Sequence, residues 1–361
     1  MVDGNTMFDF FKENGFDPFS FNIALEIEEH RVVNGQLSQY PFPENLGNRQ
    51  NPNTSFTTDF TESMIEIITR AHSNNFNLEK ELNQLQLELK YQLQPGESIW
   101  TNSMPPTLNL EDEKWVLTHF DRPWKQKYRD YLIEKYGIYH HMMSGIHINF
   151  SFNDDLLVHF NGDINALYFQ VAQNLIHLRY LFVYLFGNSN VDFNPGKDSR
   201  IPIFKNTMKS IRASRYGFRN DTDISYSGTY QDFKGRLQSE ISNGYLYDAA
   251  EFYGPVRFKE TNDRIHYIEV RISDLVPQKD NLVDFSALEL VEYIAFATLY
   301  GLLDFGQRDI DADIELSYQV AEKKANLNSE MLSKLVFPDE FKERFFNIYQ
   351  VITNLKNQLV L

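Results

Sequence analysis

Two stretches of the chain alternate apolar and polar residues with the period of two that marks a half-buried strand. "SGIHINFSF" (144–152) puts His147, Asn149 and Ser151 on one face and Ile146, Ile148, Phe150 and Phe152 on the other. "RIHYIEVRISD" (264–274) repeats the design, with Tyr267, Glu269 and Arg271 opposite His266, Ile268, Val270 and Ile272. A third, "ALEIEEHRVVNG" (24–35), sets Glu26 and Glu28 two apart around Ile27. On a strand those carboxylates point the same way, about 7 Å apart. Like charges on one face repel, so water, a basic partner or metal ions must compensate them.

Elsewhere the period lengthens. Residues 59–91 read as helical, as do 124–136 with Gly137 as the stop, 163–187 as one long buried helix, 284–303 and 338–360. Residues 34–58, rich in Asn, Pro and Gly, read as a long loop, and "SIWTNSMPP" as an extended segment. Residues 188–245 mix loop and helix. No internal repeat or linker divides the chain, which predicts one domain over 1–361. On a helix Asp59, Glu62 and Glu66 share a face opposite Met64, Ile65 and Ile68. Asp59 and Glu62 also match a capping box, a structural use of Glu62. Asp59 and Glu66 fit a solvated acidic face or a site equally well.

Composition narrows the function. Thirty Phe and twenty Tyr supply ample core for 361 residues. Fifty acidic against 34 basic residues leave a net charge of −16, which argues against nucleic acid or an anionic membrane as partner. With no cysteine, disulfides, thiolate metal sites and cysteine nucleophiles are excluded. "MVDGNTMFDFFKENGF" lacks the basic and apolar regions of a signal peptide. The apolar stretch 166–187 carries Gln170, Gln173, Asn174, His177 and Arg179, so it reads as a buried helix rather than a membrane span. The expected location is cytoplasmic.

Each strand segment thus offers an apolar face for a core and a polar face bearing carboxylate, imidazole or guanidinium. The ordinary readings are a structural His147 and a Glu269–Arg271 surface ladder worth little. The functional reading is the floor of a hard-metal site, with Mg²⁺ shared between carboxylates and substrate phosphates. No GxxxxGK[ST] loop is present, which sets aside a P-loop nucleotide site.

"LEIEEHRV", "TTDFTESMIEIIT", "SMPP", "YR" (128–129), "YGIYHHMMSGIHINFSF", "YLFGNS", "SIRASRYGF", "YGPVRFK" and "YIEVRISDLVP" occur in that order between about residues 22 and 277. In this the chain resembles bacterial glutamate–cysteine ligase. The resemblance implies an α+β fold, a curved and mostly antiparallel sheet surrounded by helices, related to glutamine synthetase. It also implies a reaction: ATP phosphorylates the γ-carboxylate of L-glutamate, and the amine of L-cysteine captures the acyl phosphate, giving γ-glutamylcysteine for glutathione synthesis. Such phosphoryl transfer needs bridging cations and positioned arginines more than a protein nucleophile.

By that similarity Glu26, Glu28, Asp59, Glu66, His147 and Glu269 are metal ligands, holding two or three Mg²⁺ ions for which Mn²⁺ substitutes. Glu269 and Arg271 are the catalytic pair, with Arg271 near the transferred phosphate. Arg129, Arg212 and Tyr253 match positions that line the amino-acid substrates, and Asn149 one beside the phosphates. Arg257 and Lys259 are expected nucleotide or phosphate contacts. The chain departs from the pattern at Phe218, where the family tends to have tyrosine in the acceptor pocket. It also stops about 90 residues after "YIEVR", whereas typical members continue further, which reads as a compact or truncated form. A different acceptor amine, or a silent relative that only binds nucleotide or glutamate, are the alternatives. Against the latter stands the cost of burying so many acidic groups with no metal to use them.

Overall fold

The computed structural model describes residues 4–47, 54–118, 126–189, 191–195, 201–221, 223–306 and 308–359. Residues 48–53 of the expected loop, 124–125 of one expected helix and 360 of another lie outside them.

Strands β1 (Phe21–Val33), β2 (Gln36–Leu37), β3 (Phe56–Thr58), β4 (Met64–Ile68) and β5 (Glu97–Trp100) come first. They are followed by β6 (Ile146–Phe152), β7 (Asp192–Phe193), β8 (Phe204–Lys205), β9 (Val256–Thr261) and β10 (Arg264–Ser273). The main sheet runs β3-β4-β1-β6-β10-β9, with β2 and β5 pairing the far end of β1, and β7 and β8 form a separate ribbon. Every ladder is antiparallel. The α+β class and the mostly antiparallel sheet among helices are therefore as the sequence implies.

Alternation decides which way the sheet faces. Leu25 and Ile27, Ile65 and Ile67, Ile148 and Phe150, and Ile268 and Val270 are all buried in one apolar core. Helices Ile164–His177 and Phe285–Leu299 cover that face, packing against β10 and β6 respectively. The polar alternates are left to the opposite face. No helix among the described residues is long and apolar enough to cross a membrane.

Three expectations fail. Residues 59–91 are not one helix: 64–68 form β4, and the helix is Asn75–Gln92, capped by the Asn74 side chain accepting from Asn77 N at 2.8 Å. "MIEII" fits either period over five residues. Its β-branched residues and the open backbone edge of β1 select the strand, and Ile27 pairs with Ile67. The Asp59–Glu62 capping box does not form, because Glu62 Oε1 accepts from Phe42 N at 3.0 Å instead. Second, the expected helix 163–187 breaks at Leu178 (φ −104°, ψ 7°), which turns Arg179–Phe186 onto helix Ile310–Ala321. Third, 338–360 breaks at Phe345, whose ring is buried beside Tyr293 and Phe296. The expected loop 34–58 contains β2, a turn of 3-10 helix at Glu44–Leu46, and β3.

Candidate active site

Strand register carries the candidate residues into one row. Glu28 pairs with Glu66, Glu26 with His147, and Asn149 with Glu269. Four strands, β4, β1, β6 and β10, thus present acidic and imidazole groups side by side on the polar face. Asn149 Nδ2 donates to Glu26 Oε1 at 2.8 Å. His147 Nδ1 lies 3.5 Å from both Glu26 Oε2 and Glu269 Oε1, and its Nε2 3.7 Å from Glu28 Oε1. These separations are too long for good hydrogen bonds. Both ring nitrogens are buried, and among the described residues neither has a hydrogen bond of good geometry.

The row has two electrostatic halves. Burial, with Asp59 nearby, pushes Glu28 up to about 8. Burial also raises Glu66 well above the usual carboxylate range, and Asp59, Glu26, Glu28 and Glu269 all add to it. Burial would raise Glu26 too, but His147 and Asn149 outweigh it and hold Glu26 below its ordinary value. Burial takes His147 down to about 4, so the ring is neutral near pH 7. Across the row Glu269 is 1% exposed. Burial opposes its charge, but Arg271, with Lys259 and Arg257 behind it, overcomes it and keeps the group ionised. Lys259 Nζ sits 2.5 Å from Glu269 Oε2, and Arg271 donates to Oε1.

One oxygen each from Glu26 and Glu66 and one nitrogen of His147 lie within 4.8 Å of one another. Hard carboxylate oxygens with a single imidazole suit Mg²⁺ or Mn²⁺. The orphaned ring nitrogens and the like-charge repulsion on Glu66 are what such an ion would relieve, so these residues fit a divalent metal.

A cleft of about 270 Å³ opens over the row. Glu26, Glu28, Asp59, Glu66, His147, Glu269 and Arg271 form its charged floor. Arg129, Phe218, Tyr253, Arg257 and Lys259 line its walls. Arg129 comes from helix Gln126–Tyr136, reaches the Asp59 carbonyl at 2.8 Å and lies over the Phe60 ring. Arg257 Nε donates to the Phe252 carbonyl at 2.7 Å, and burial lowers the guanidinium to about 10. Asn149 and Arg212 do not line the cleft. Asn149 acts on it through Glu26, and Arg212 lies behind the wall, under Phe218, with Nη1 3.0 Å from the Arg271 carbonyl.

A tight turn from Ile211 to Phe218 sets Arg212 and Phe218 together. Ser214 N donates to Ile211 O, Gly217 N to Ser214 O, and Phe218 N to Arg212 O at 2.9 Å. A Cβ on Gly217 would fall 1.8 Å from the Arg212 carbonyl oxygen, so only glycine closes this turn.

Sequence reasoning missed Phe60, Tyr128, Leu132, Ala250 and His141, which also line the cleft. Phe60, Tyr128 and His141 lie inside recognised motifs and Leu132 and Ala250 near them, but none carries a periodic signal. A second cavity of about 730 Å³ shares Ala250, Arg257 and Lys259 with the cleft and has the aromatic side chains Phe233, Phe252, Phe258 and Tyr267 in its walls. A larger cavity, about 790 Å³, runs along helix Ile164–His177 and holds none of the candidate residues. Crowded charge, not size, marks the site.

The glutamate–cysteine ligase family model matches residues 18–242. The bifunctional glutathione biosynthesis protein of Enterococcus faecalis is 30% identical over 290 residues, covering 74% of this chain and 35% of that protein. The glutamate–cysteine ligase of Clostridium acetobutylicum is 29% identical over 324 residues, covering 71% of this chain and 67% of that one. The chain thus spans from about a third to two thirds of the length of these relatives. The crystal structure of a Francisella tularensis glutamate–cysteine ligase in complex with AMP superposes with a TM-score of 0.76 at 22% identity, covering 93% of this chain and 82% of that one. A bifunctional glutathione synthetase from Pasteurella multocida gives 0.79 at 23%, covering 98% and 50%. At these identities the two structures speak for the fold.

Proposed function

The chain belongs to the glutamate–cysteine ligase family, and on that premise we propose that it phosphorylates the γ-carboxylate of L-glutamate with ATP and joins it to the amine of L-cysteine, in the cytoplasm. The observation that carries this reading is the row of half-buried Glu26 and Glu66 with buried Glu28 and His147, three carboxylates crowded on one imidazole, facing a Glu269 held by Arg271 and Lys259. Such a row makes sense when divalent ions and phosphates arrive with substrate.

Glu26, Glu28, Asp59, Glu66, His147 and Glu269 would hold two or three Mg²⁺ ions, with Mn²⁺ able to replace them. Bound there, the metal would neutralise phosphate and carboxylate charge. Arg271, Lys259 and Arg257 take the phosphate charge that builds up during transfer. The nucleotide base occupies the aromatic cavity that shares Arg257 and Lys259 with the cleft. Arg129 receives a substrate carboxylate, and Arg212 and Tyr253 support that wall. Phe60, Tyr128, Leu132, Phe218 and Tyr253 keep water from the acyl phosphate until the amine attacks.

A second reading keeps the chemistry and changes the acceptor amine. Phe218 favours it, because a ring without a hydroxyl stands in the wall. The test is ADP release by the full chain with ATP, glutamate and a panel of amines. Release should require glutamate, one amine and Mg²⁺ or Mn²⁺ together. Full activity in excess chelator refutes the metal assignment, and release with no amine at all refutes a ligase.

A further inference from the structure

Helix Ile164–His177 carries a polar stripe that the strand row does not use. Gln170, Gln173, Asn174 and His177 fall at i, i+3, i+4 and i+7, one face. Leu167, Val171, Ala172 and Leu175 belong to the core instead. The stripe lines the cavity of about 790 Å³, and two of its members are almost enclosed, Asn174 at 3% and His177 at 6% exposed. The helix covers the apolar face of the sheet, so this cavity and the cleft lie on opposite sides of it.

The stripe offers acceptors. Gln173 Nε2 donates to the carbonyls of Tyr226 and Gly228 at 2.8 and 3.1 Å, and Asn174 Nδ2 to Thr298 Oγ1 and the Leu303 carbonyl at 2.8 and 3.1 Å. Carbonyls only accept, so both amides are fixed and Gln173 Oε1 and Asn174 Oδ1 are left as acceptors. His177 Nδ1 meets Asp313 Oδ2 at 2.6 Å, which leaves Nε2 as a lone pair. At the rim, Asp163, Asp304 and Asp309 each spend Oδ1 on backbone amides, and among the described residues no hydrogen bond takes their Oδ2. Arg308, the one arginine or lysine among the described lining residues, is tied to Asp313 Oδ1 at 2.6 and 3.0 Å.

Such a lining repels a phosphate or a carboxylate. A sugar would need donors as well as acceptors. A metal ion needs ligands that converge, and among the described residues the one cluster of that size is in the strand row. Here the groups are strung out: Asp163 precedes the helix and His177 ends it, about 21 Å apart at 1.5 Å per residue. Phe305 stacks on His177 at 4.7 Å, and with Phe169 it gives the wall apolar surface. From this geometry we infer that the cavity is a second binding site, for a linear aliphatic polyamine. Its end ammonium groups meet Asp163 at one end and Asp304 with Asp309 at the other. Its inner nitrogens donate to the stripe, and its methylenes lie on the two phenylalanines. The inference does not rest on the ligase reading.

Calorimetric titration of the full chain with spermine tests it, with Mg²⁺ present, no nucleotide or glutamate, and about 0.15 M salt to screen diffuse attraction to an acidic surface. Saturable binding of one spermine is expected. Asp163→Asn keeps the helix-capping oxygen and should weaken spermine about two- to fivefold, the range of a partly exposed ion pair, while leaving the shorter 1,4-diaminobutane unchanged. Asp304→Asn with Asp309→Asn should weaken both amines. Gln170 is exposed, so Gln170→Lys leaves the fold intact and should weaken spermine by a similar factor through like charge. Glu66→Gln, in the strand row, should bind as wild type does. Absence of saturable binding overturns the inference, and so does a Gln170→Lys protein with wild-type affinity. Loss of binding in Glu66→Gln overturns it too, by placing the amine on the strand row.

Discussion

The two ends of β1 treat buried charge in opposite ways. At one end Arg31 and Glu97 are both fully buried and 2.8 Å apart. The guanidinium also meets the carbonyls of Pro41, Tyr40 and Glu62, while Ser38 and the Gln94 amide serve Glu97. This charge is closed by the chain itself. Toward the other end, at the middle of the same strand, Glu26 and Glu28 face Glu66 and an imidazole that has no good hydrogen bond among the described residues. This charge is left open. Burying an ion is costly unless something answers it, so the closed end is architecture, and under the proposed function the open end is where a ligand would bind.

The sharpest way to break this contrast is to remove one partner at the closed end. Arg31→Met strands Glu97 in the interior and should cost about 3–5 kcal/mol of unfolding free energy, measured by urea denaturation. A loss below about 1 kcal/mol means the pair is not what holds β1 to β5. The open end should respond in activity instead. Glu269→Gln leaves Arg271 and Lys259 without their carboxylate, and turnover in ADP release should fall by a hundredfold or more, about 2.7–4 kcal/mol of transition-state stabilisation. Near-normal turnover removes Glu269 from the machinery.

A divalent ion should bring the two ends closer in kind. At a hundred times its Kd, Mg²⁺ should raise stability by about 2.7 kcal/mol, seen as a shift in the denaturation midpoint. Glu66→Ala should be more stable than wild type without metal, since repulsion is relieved, and should lose most of the Mg²⁺ increment. A wild-type midpoint indifferent to Mg²⁺ refutes the open site.

Glu29 gives an intermediate case. It points away from the cleft, is fully buried and is met by Gln86 Nε2 at 3.2 and 3.3 Å. Burial pushes it up to about 7, from an ordinary 4.5. Between those values the folded chain keeps a proton that the unfolded chain has lost. Stability therefore falls as pH rises from 4.5 to about 7, by up to about 1.4 kcal/mol per unit, and then levels off. Glu29→Gln should remove this decline, so that the difference between variant and wild type grows with pH across that window. A pH-independent difference puts the carboxyl's proton elsewhere.

Much of this site was legible because alternation survives folding. The polar faces of β6 and β10 follow directly from "HINF" and "YIEVR", and the register then aligns Asn149 with Glu269. What misled was the stretch around Glu66. Five residues satisfy a helical and a strand period alike, and only the neighbouring strand β1 decides between them. Glu66 still reached the cleft, but by pairing opposite Glu28 rather than by lying on a helix face with Asp59. His141 was illegible for a different reason. On a four-residue helix between Gly137 and the turn at Met142 there is no period to read, and its place depends on Phe60 and Tyr253 from distant segments.

The turn closed by Gly217 divides this wall of the cleft into a frame and a fitting. The frame is backbone: its hydrogen bonds and the near-contact at Gly217 fix where residue 218 stands, whatever side chain it carries. Exchange at 217 is forbidden by geometry, while exchange at 218 changes only the side chain that lines the cleft. Under the proposed function a population of variants could therefore wander among acceptors by drifting at one position, without having to rebuild the loop that presents it.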